Sequence, residues 1–122
     1  MPLSSSEWIV MNAVWDRPVE SSIRDVLEVV ESQTGWPYQS VQSVMSRLER
    51  KGALSSRMRA NTRLYFARLG RKEAQAEALR QLRDVAFGGS SMALLRMVLE
   101  PDMLTTEQRS ELREGLKEWL SR

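Results

Sequence analysis

Gln39, Ser40, Gln42 and Ser43 crowd four uncharged hydrogen-bonding side chains into one short segment. Glutamine and serine both donate and accept, which is the chemistry that reads base edges in a DNA major groove. Arg47, Arg50 and Lys51 follow directly, and Arg57, Arg59 and Arg63 lie a few residues further on. Cations of this kind, with a hydroxyl such as that of Tyr38, suit phosphate oxygens. The element that must position them is written beneath them. Val41, Val44, Met45 and Leu48 stand at i, i+3, i+4 and i+7, the spacing of one buried helix face. Gly52 follows Lys51, where a left-handed stop is expected. Taken alone, the polar face fits an ordinary solvated surface equally well, so the neighbouring elements decide.

The composition narrows the alternatives. The 122 residues include no cysteine and no histidine. Ser-His-Asp and Cys-His catalysis are therefore closed to this chain, as are thiolate and imidazole metal sites. Most acidic residues lie at helical spacing beside arginine or lysine, as on solvated faces, rather than as a catalytic carboxylate pair. No enzyme activity and no cofactor are expected. No apolar run reaches the roughly 18 residues of a membrane span, and residues 1–7 lack the features of a secretory signal. A cytoplasmic location is expected.

The net charge of +2 is unevenly placed. Residues 1–36 hold two bases and six acids, residues 37–72 nine bases and one acid, and residues 73–122 seven bases and nine acids. A basic centre between acidic flanks is the electrostatic footprint of a nucleic-acid contact.

Around this centre the chain divides into short elements. Ser4 with Glu7 forms a capping box for a first helix running to about Asp16, whose buried stripe is Trp8, Met11, Val14 and Trp15. Arg17-Pro18 ends it. Val19-Glu20-Ser21 is extended. Ser22 and Asp25 start a second helix, to about Ser32, with Ile23, Val26, Leu27 and Val30 inward. Gln33 to Pro37 then breaks the chain before the polar-faced helix. Two amphipathic helices joined through a glycine make a helix-turn-helix. Residues 53–59 and 63–67 read as two strands around a turn at Ala60-Asn61-Thr62, with Leu64 and Phe66 alternating against Arg63 and Tyr65. Arg57, Arg59 and Arg63 cluster at the tip of this hairpin, as in a wing that grips phosphate or the minor groove.

From Arg71 the character changes. Arg71 to Phe87 is rich in helix formers, with Leu79, Leu82, Val85 and Ala86 as its apolar stripe. Gly88-Gly89 stops it, and Ser90 or Ser91 caps a helix from Met92 to Leu99 that is apolar nearly all round. Thr105 with Gln108 opens a last helix, Thr106 to about Leu120. These three helices are too short to bury their own apolar faces, and a second copy of the chain is the simplest cover. The expected dimer contacts are Leu79, Leu82, Met92, Leu95, Val98, Leu99, Leu112, Leu116 and Trp119. The expected fold is mostly α: a winged helix-turn-helix with a small hairpin wing over 1–70, then a three-helix dimerisation region over 71–122.

The series Glu7-Trp8-Ile9-Val10-Met11 with Trp15, Trp36 to Val41, Arg47 to Gly52 and Phe87 to Ser90 resembles the penicillinase repressor family of bacterial regulators, the BlaI/MecI type. The resemblance covers nearly the whole length. It implies a homodimeric winged-helix repressor on an inverted-repeat, double-stranded DNA operator. It also implies relief when a membrane-bound sensor metalloprotease cuts the C-terminal helices. Staphylococcal-type members carry an Asn-Phe pair at the cut; Met97-Val98 stands there in this chain. The competing reading from another class is a winged-helix module that binds protein and has no duplex affinity.

Overall fold

Ser4 starts the first helix by the route its sequence predicts. Its hydroxyl accepts from the Glu7 amide at 3.3 Å while the Glu7 carboxylate accepts from the Ser4 amide at 2.8 Å. Ser22 and Asp25 repeat the device at the second helix, at 3.1 and 2.9 Å. In this computed structural model, which describes residues 2–122, the order is α1 (Ser5–Trp15), α2 (Ile23–Thr34), α3 (Tyr38–Lys51), β1 (Leu54–Arg59), β2 (Thr62–Ala67), α4 (Arg71–Ala86), α5 (Ser91–Val98) and α6 (Thr106–Leu120). α2 runs two residues past the expected end, to a left-handed Gly35. α4 and α5 each end one residue short of expectation, and α5 also starts one residue early.

The core of the N-terminal part joins α1, α2, α3 and the hairpin. Val10, Met11, Val26, Val41, Met45 and Leu48 are wholly enclosed. The four α3 residues expected to face inward are all buried there. The α1 stripe departs from expectation. Met11 and Val14 are buried as expected and Val10 and Ala13 join them, whereas Trp8 and Trp15 are only partly buried. The two indoles meet edge to face at 5.9 Å along the rim of the core. An indole is too large to be enclosed easily, and its N–H demands a partner.

The hairpin pairs Leu54 with Ala67 through to Arg59 with Thr62, antiparallel. Thr62 therefore belongs to the strand, and only Ala60 and Asn61 turn. Both have positive φ, 49° and 69°, the requirement of the tight type I′ hairpin turn. The phase of β2 is the reverse of a Leu64/Phe66-inward strand. Tyr65 is 3% exposed and Phe66 38%. Ser21 explains the difference. It exchanges backbone hydrogen bonds with Tyr65 at 3.0 and 2.8 Å, adding one rung of a third strand that holds Tyr65 over the core.

The chain divides into two compact units, one ending at Leu79 and one spanning Arg80–Arg122. The division falls inside α4, nine residues beyond the expected 70/71 junction. The first turn of α4 belongs with α1: Arg71 reaches Asp16 at 2.6 Å and lies over the Trp15 ring, and Ala74 is buried. In the second unit, Ser90 caps α5 and Thr105 with Gln108 caps α6. Arg109 donates to the Leu99 carbonyl at 2.6 Å, tying α6 to the end of α5. Among the described residues, none from 80 to 122 is buried within the chain. Of the residues expected at a dimer contact, Leu99 and Leu112 are half-buried and the other seven are exposed. No helix among the described residues is long and apolar enough to cross a membrane.

Candidate nucleic-acid interface

α3 stands out from the N-terminal unit with its polar face uncovered. Pro37, extended at φ −74°, begins it, and Gly52, at φ 86°, ends it. Val41, Val44, Met45 and Leu48 are held against α1, α2 and β1, so the opposite side turns outward. Gln39, Gln42 and Ser43 are exposed and Ser40 is half-exposed. These four side chains make no hydrogen bond to other described residues, which leaves their donors and acceptors available to base edges.

Two clefts flank this face. One, of about 400 Å³, runs between α3 and the start of α1, lined by Ser6, Trp36, Gln39, Ser40, Ser43, Val44 and Arg47. The other, of about 390 Å³, joins the N-termini of α2 and α3 to the hairpin tip, lined by Ser22, Ile23, Arg24, Tyr38, Asn61, Thr62 and Arg63. The second cleft has the makings of a phosphate seat. The start of α2 brings the positive end of its dipole, although Ser22 and Asp25 already pair two of its amides with each other's side chains. Arg24 lies 5.7 Å from the centre of the Tyr38 ring, and Arg63 closes the far side. Arg24 was hidden in the sequence because it sits in the acidic segment 1–36. Its position two residues after the Ser22 cap is the signal that places it at a helix start.

The cations identified from sequence do not stand together. Directly opposed residues of an antiparallel pair share a face. Arg57 and Arg59 therefore lie with Leu64 and Phe66, while Arg63 lies with Met58 on the Tyr65 side. The expected single cluster at the wing tip is thus split across the sheet. Arg63 donates to Ser56 at 2.9 Å, and Ser56 donates to Glu49 at 2.6 Å, bracing the wing against α3. Arg57 is paired with Glu20 at 2.9 Å. Arg50 and Arg59 have no ion-pair partner among the described residues.

Arg47 and Lys51 converge on Glu7 of α1. The carboxylate accepts from Lys51 Nζ at 2.8 Å and from Arg47 Nε at 3.1 Å. Glu7 is fully enclosed, while its two partners are 35% and 43% exposed. Burial pushes the Glu7 carboxyl up, but Lys51, the Ser4 amide and Arg47 together outweigh it and hold the group at about 2. From sequence, Glu7 was legible only as the N3 residue of a capping box; its second role needs α1 and α3 in contact.

The sequence profile of the penicillinase repressor family matches residues 3–118 of the chain. The methicillin resistance regulatory protein MecI of Mammaliicoccus sciuri is 22% identical over 114 residues, covering 93% of this chain and 92% of that protein. MecI of Staphylococcus aureus strain N315 matches to the same extent. Among solved structures, the DNA-binding domain of the repressor BlaI superposes with a TM-score of 0.53 at 21% identity, over 58% of this chain and 85% of that domain. The likeness supports the winged-helix fold.

Proposed function

The chain belongs to the penicillinase repressor family, and we propose that it is a DNA-binding transcriptional repressor that reads an inverted-repeat operator as a homodimer. The observation that carries this reading is the exposed, neutral, hydrogen-bonding face of α3, set between two clefts that carry arginine. Gln39, Ser40, Gln42 and Ser43 meet base edges, with Gln42 suited to adenine as a bidentate partner. Arg24, Arg50, Arg59, Arg63 and the Tyr38 hydroxyl hold phosphates, which fix register without reading sequence.

The second unit supports the homodimer. It exposes Leu95, Met97, Leu116 and Trp119 in the single chain, and apolar faces of this kind call for cover. A twofold pairing through them presents two α3 helices to successive major grooves. Relief by a sensor protease is what the family resemblance implies, but Met97-Val98 stands where staphylococcal-type members carry the Asn-Phe pair, so the cut is not carried over to this chain.

A gel shift with the DNA upstream of the chain's own gene, repeated across a salt series, tests the reading. About eight phosphate contacts per dimer make affinity fall roughly 10³–10⁵-fold between 50 and 200 mM salt. Absence of any duplex affinity would replace this reading with the protein-interaction module.

A further inference from the structure

Glu7 is the one fully buried carboxylate among the described residues, and it is paired with Arg47, which lines the cleft beside the polar face of α3. Its two oxygens take separate cations from α3, Lys51 on one and Arg47 on the other. Those cations are four residues apart, one turn of the helix, so a single carboxylate grips a full turn. Lys51 also donates to the Pro2 carbonyl at 3.3 Å. Arg47 shares its cleft with Gln39, Ser40 and Ser43 of the polar face.

We infer that Glu7 is a specificity-determining residue of the DNA-binding unit: it keeps Arg47 and Lys51 off the phosphates and pins α3 at the angle that aims Gln39, Gln42 and Ser43. This rests on the DNA-binding reading above. The physical basis is competition between two anions for the same cations. A phosphate contact adds affinity for every sequence alike and leaves the operator-to-random ratio unchanged, so preference depends on how firmly α3 is aimed at the base edges. Glu7 wins that competition because its geometry is preset: it sits at fixed distance from both cations and is shielded from water, whereas a phosphate must displace a formed ion pair. The carboxylate therefore subtracts sequence-independent attraction while holding the base-reading helix. A helix anchored through its C-terminal turn, with its N-terminal half at the bases, cannot roll to trade base contacts for backbone ones.

The test is Glu7→Gln, measured by fluorescence anisotropy on the upstream operator and on random duplex, across salt, with the full-length protein. Glutamine retains Oε1, which accepts from Ser4 and from Lys51, so the α1 cap survives, but it carries no charge to hold either cation and turns its amide nitrogen toward Arg47. Release of both raises random-duplex affinity about tenfold or more near 0.1 M salt and steepens the salt slope by up to about 1.8 per subunit. The operator-to-random ratio falls about tenfold because α3, no longer pinned, loses base contacts. An unchanged slope and ratio in a folded variant overturns the inference. Arg47→Gln keeps the test decisive should Glu7→Gln unfold, because Lys51 still compensates the buried carboxylate. If Glu7 holds Arg47, the slope stays within about 0.5 of the parent; a loss near 0.9 per subunit means that Arg47 was on phosphate all along, and the inference fails. A parent protein that binds neither duplex defeats the DNA-binding reading itself, a result distinct from either failure.

Discussion

The indole N–H of Trp15 donates to the carbonyl oxygen of Leu69 at 2.9 Å, across 54 positions of sequence. This bond joins the last residue of α1 to the segment that leads from the hairpin into α4. Arg71 lies over the same ring at 5.4 Å. Trp15→Phe retains an aromatic surface for Arg71 but removes the donor. The expected cost is about 1 kcal/mol, a fall of roughly 4–8 °C in the melting temperature of the N-terminal unit. Thermal unfolding followed by circular dichroism reads this directly; an unaltered melting point would mean that water replaces the indole without loss.

The hairpin turn stores a small strain. Ala60 adopts φ 49°, a left-handed conformation in which its Cβ crowds the following carbonyl oxygen. Glycine meets no such crowding and is the favoured residue in a turn of this type. Ala60→Gly is expected to raise stability by about 0.5–1 kcal/mol, net of the glycine's greater freedom in the unfolded chain. The urea midpoint should rise. A lowered midpoint would show that unfolded-state entropy outweighs the relief.

Glu7 makes stability depend on acid. Its folded carboxyl titrates at about 2, below the ordinary 4.5. A depressed folded value means that the contribution is complete above about pH 4.5 and disappears as the pH falls toward 2. The shift corresponds to about 3 kcal/mol. Compared by urea unfolding, wild type and Glu7→Gln should differ most near neutral pH, and the gap should close by about pH 2. A gap that stays constant across this range would show that the two cations do not respond to the carboxylate charge.

Local chemistry carried most of this fold into view. Three capping boxes, at Ser4, Ser22 and Thr105, announce their helices because donor and acceptor sit three residues apart in the chain itself. The buried face of α3 is equally plain, since Val41, Val44, Met45 and Leu48 follow the helical repeat. What stayed hidden depends on distant partners. The inward turn of Tyr65 follows from its backbone exchange with Ser21, which no alternation within β2 reveals. The pairing of Arg47 and Lys51 with Glu7 spans 40 and 44 residues. Charge counting therefore overstated the free positive charge around α3, because it cannot see which cations already have an anion.

Gln42 and Arg59 should separate the reading of sequence from the holding of backbone. Gln42 is exposed on the outer face of α3 and Arg59 lies near the hairpin tip. Gln42→Ala should erode operator preference by about 1–3 kcal/mol while leaving random-duplex affinity almost unchanged. Arg59→Ala should weaken all sequences alike and lower the salt slope by about 0.9 per subunit. Arg57→Ala should lower it less, since Glu20 already balances that charge at 2.9 Å. Equal salt effects from Arg57 and Arg59 would show that the ion pair opens on DNA.

The second unit supplies the last test, because its helices are complete as secondary structure but not as a core. Leu95 is 45% exposed and Trp119 also 45%, on helices that bury nothing within the chain. Trp119 is already shaped for a contact: its ring lies over Gly115, where a Cβ would stand 2.6 Å from the indole. If a second copy covers this surface, Leu95→Asp places a charge in an apolar contact and costs several kcal/mol on pairing. Light scattering should then report a monomer where the parent is a dimer at micromolar concentration. Operator affinity should fall with it by about 10²–10⁴-fold, since two half-sites are no longer bound by linked subunits. Binding to a single isolated half-site should barely change, because the substitution lies outside the unit that carries α3. A monomeric parent, or a Leu95→Asp variant that remains dimeric, would mean that other surfaces make the dimer or that none is made.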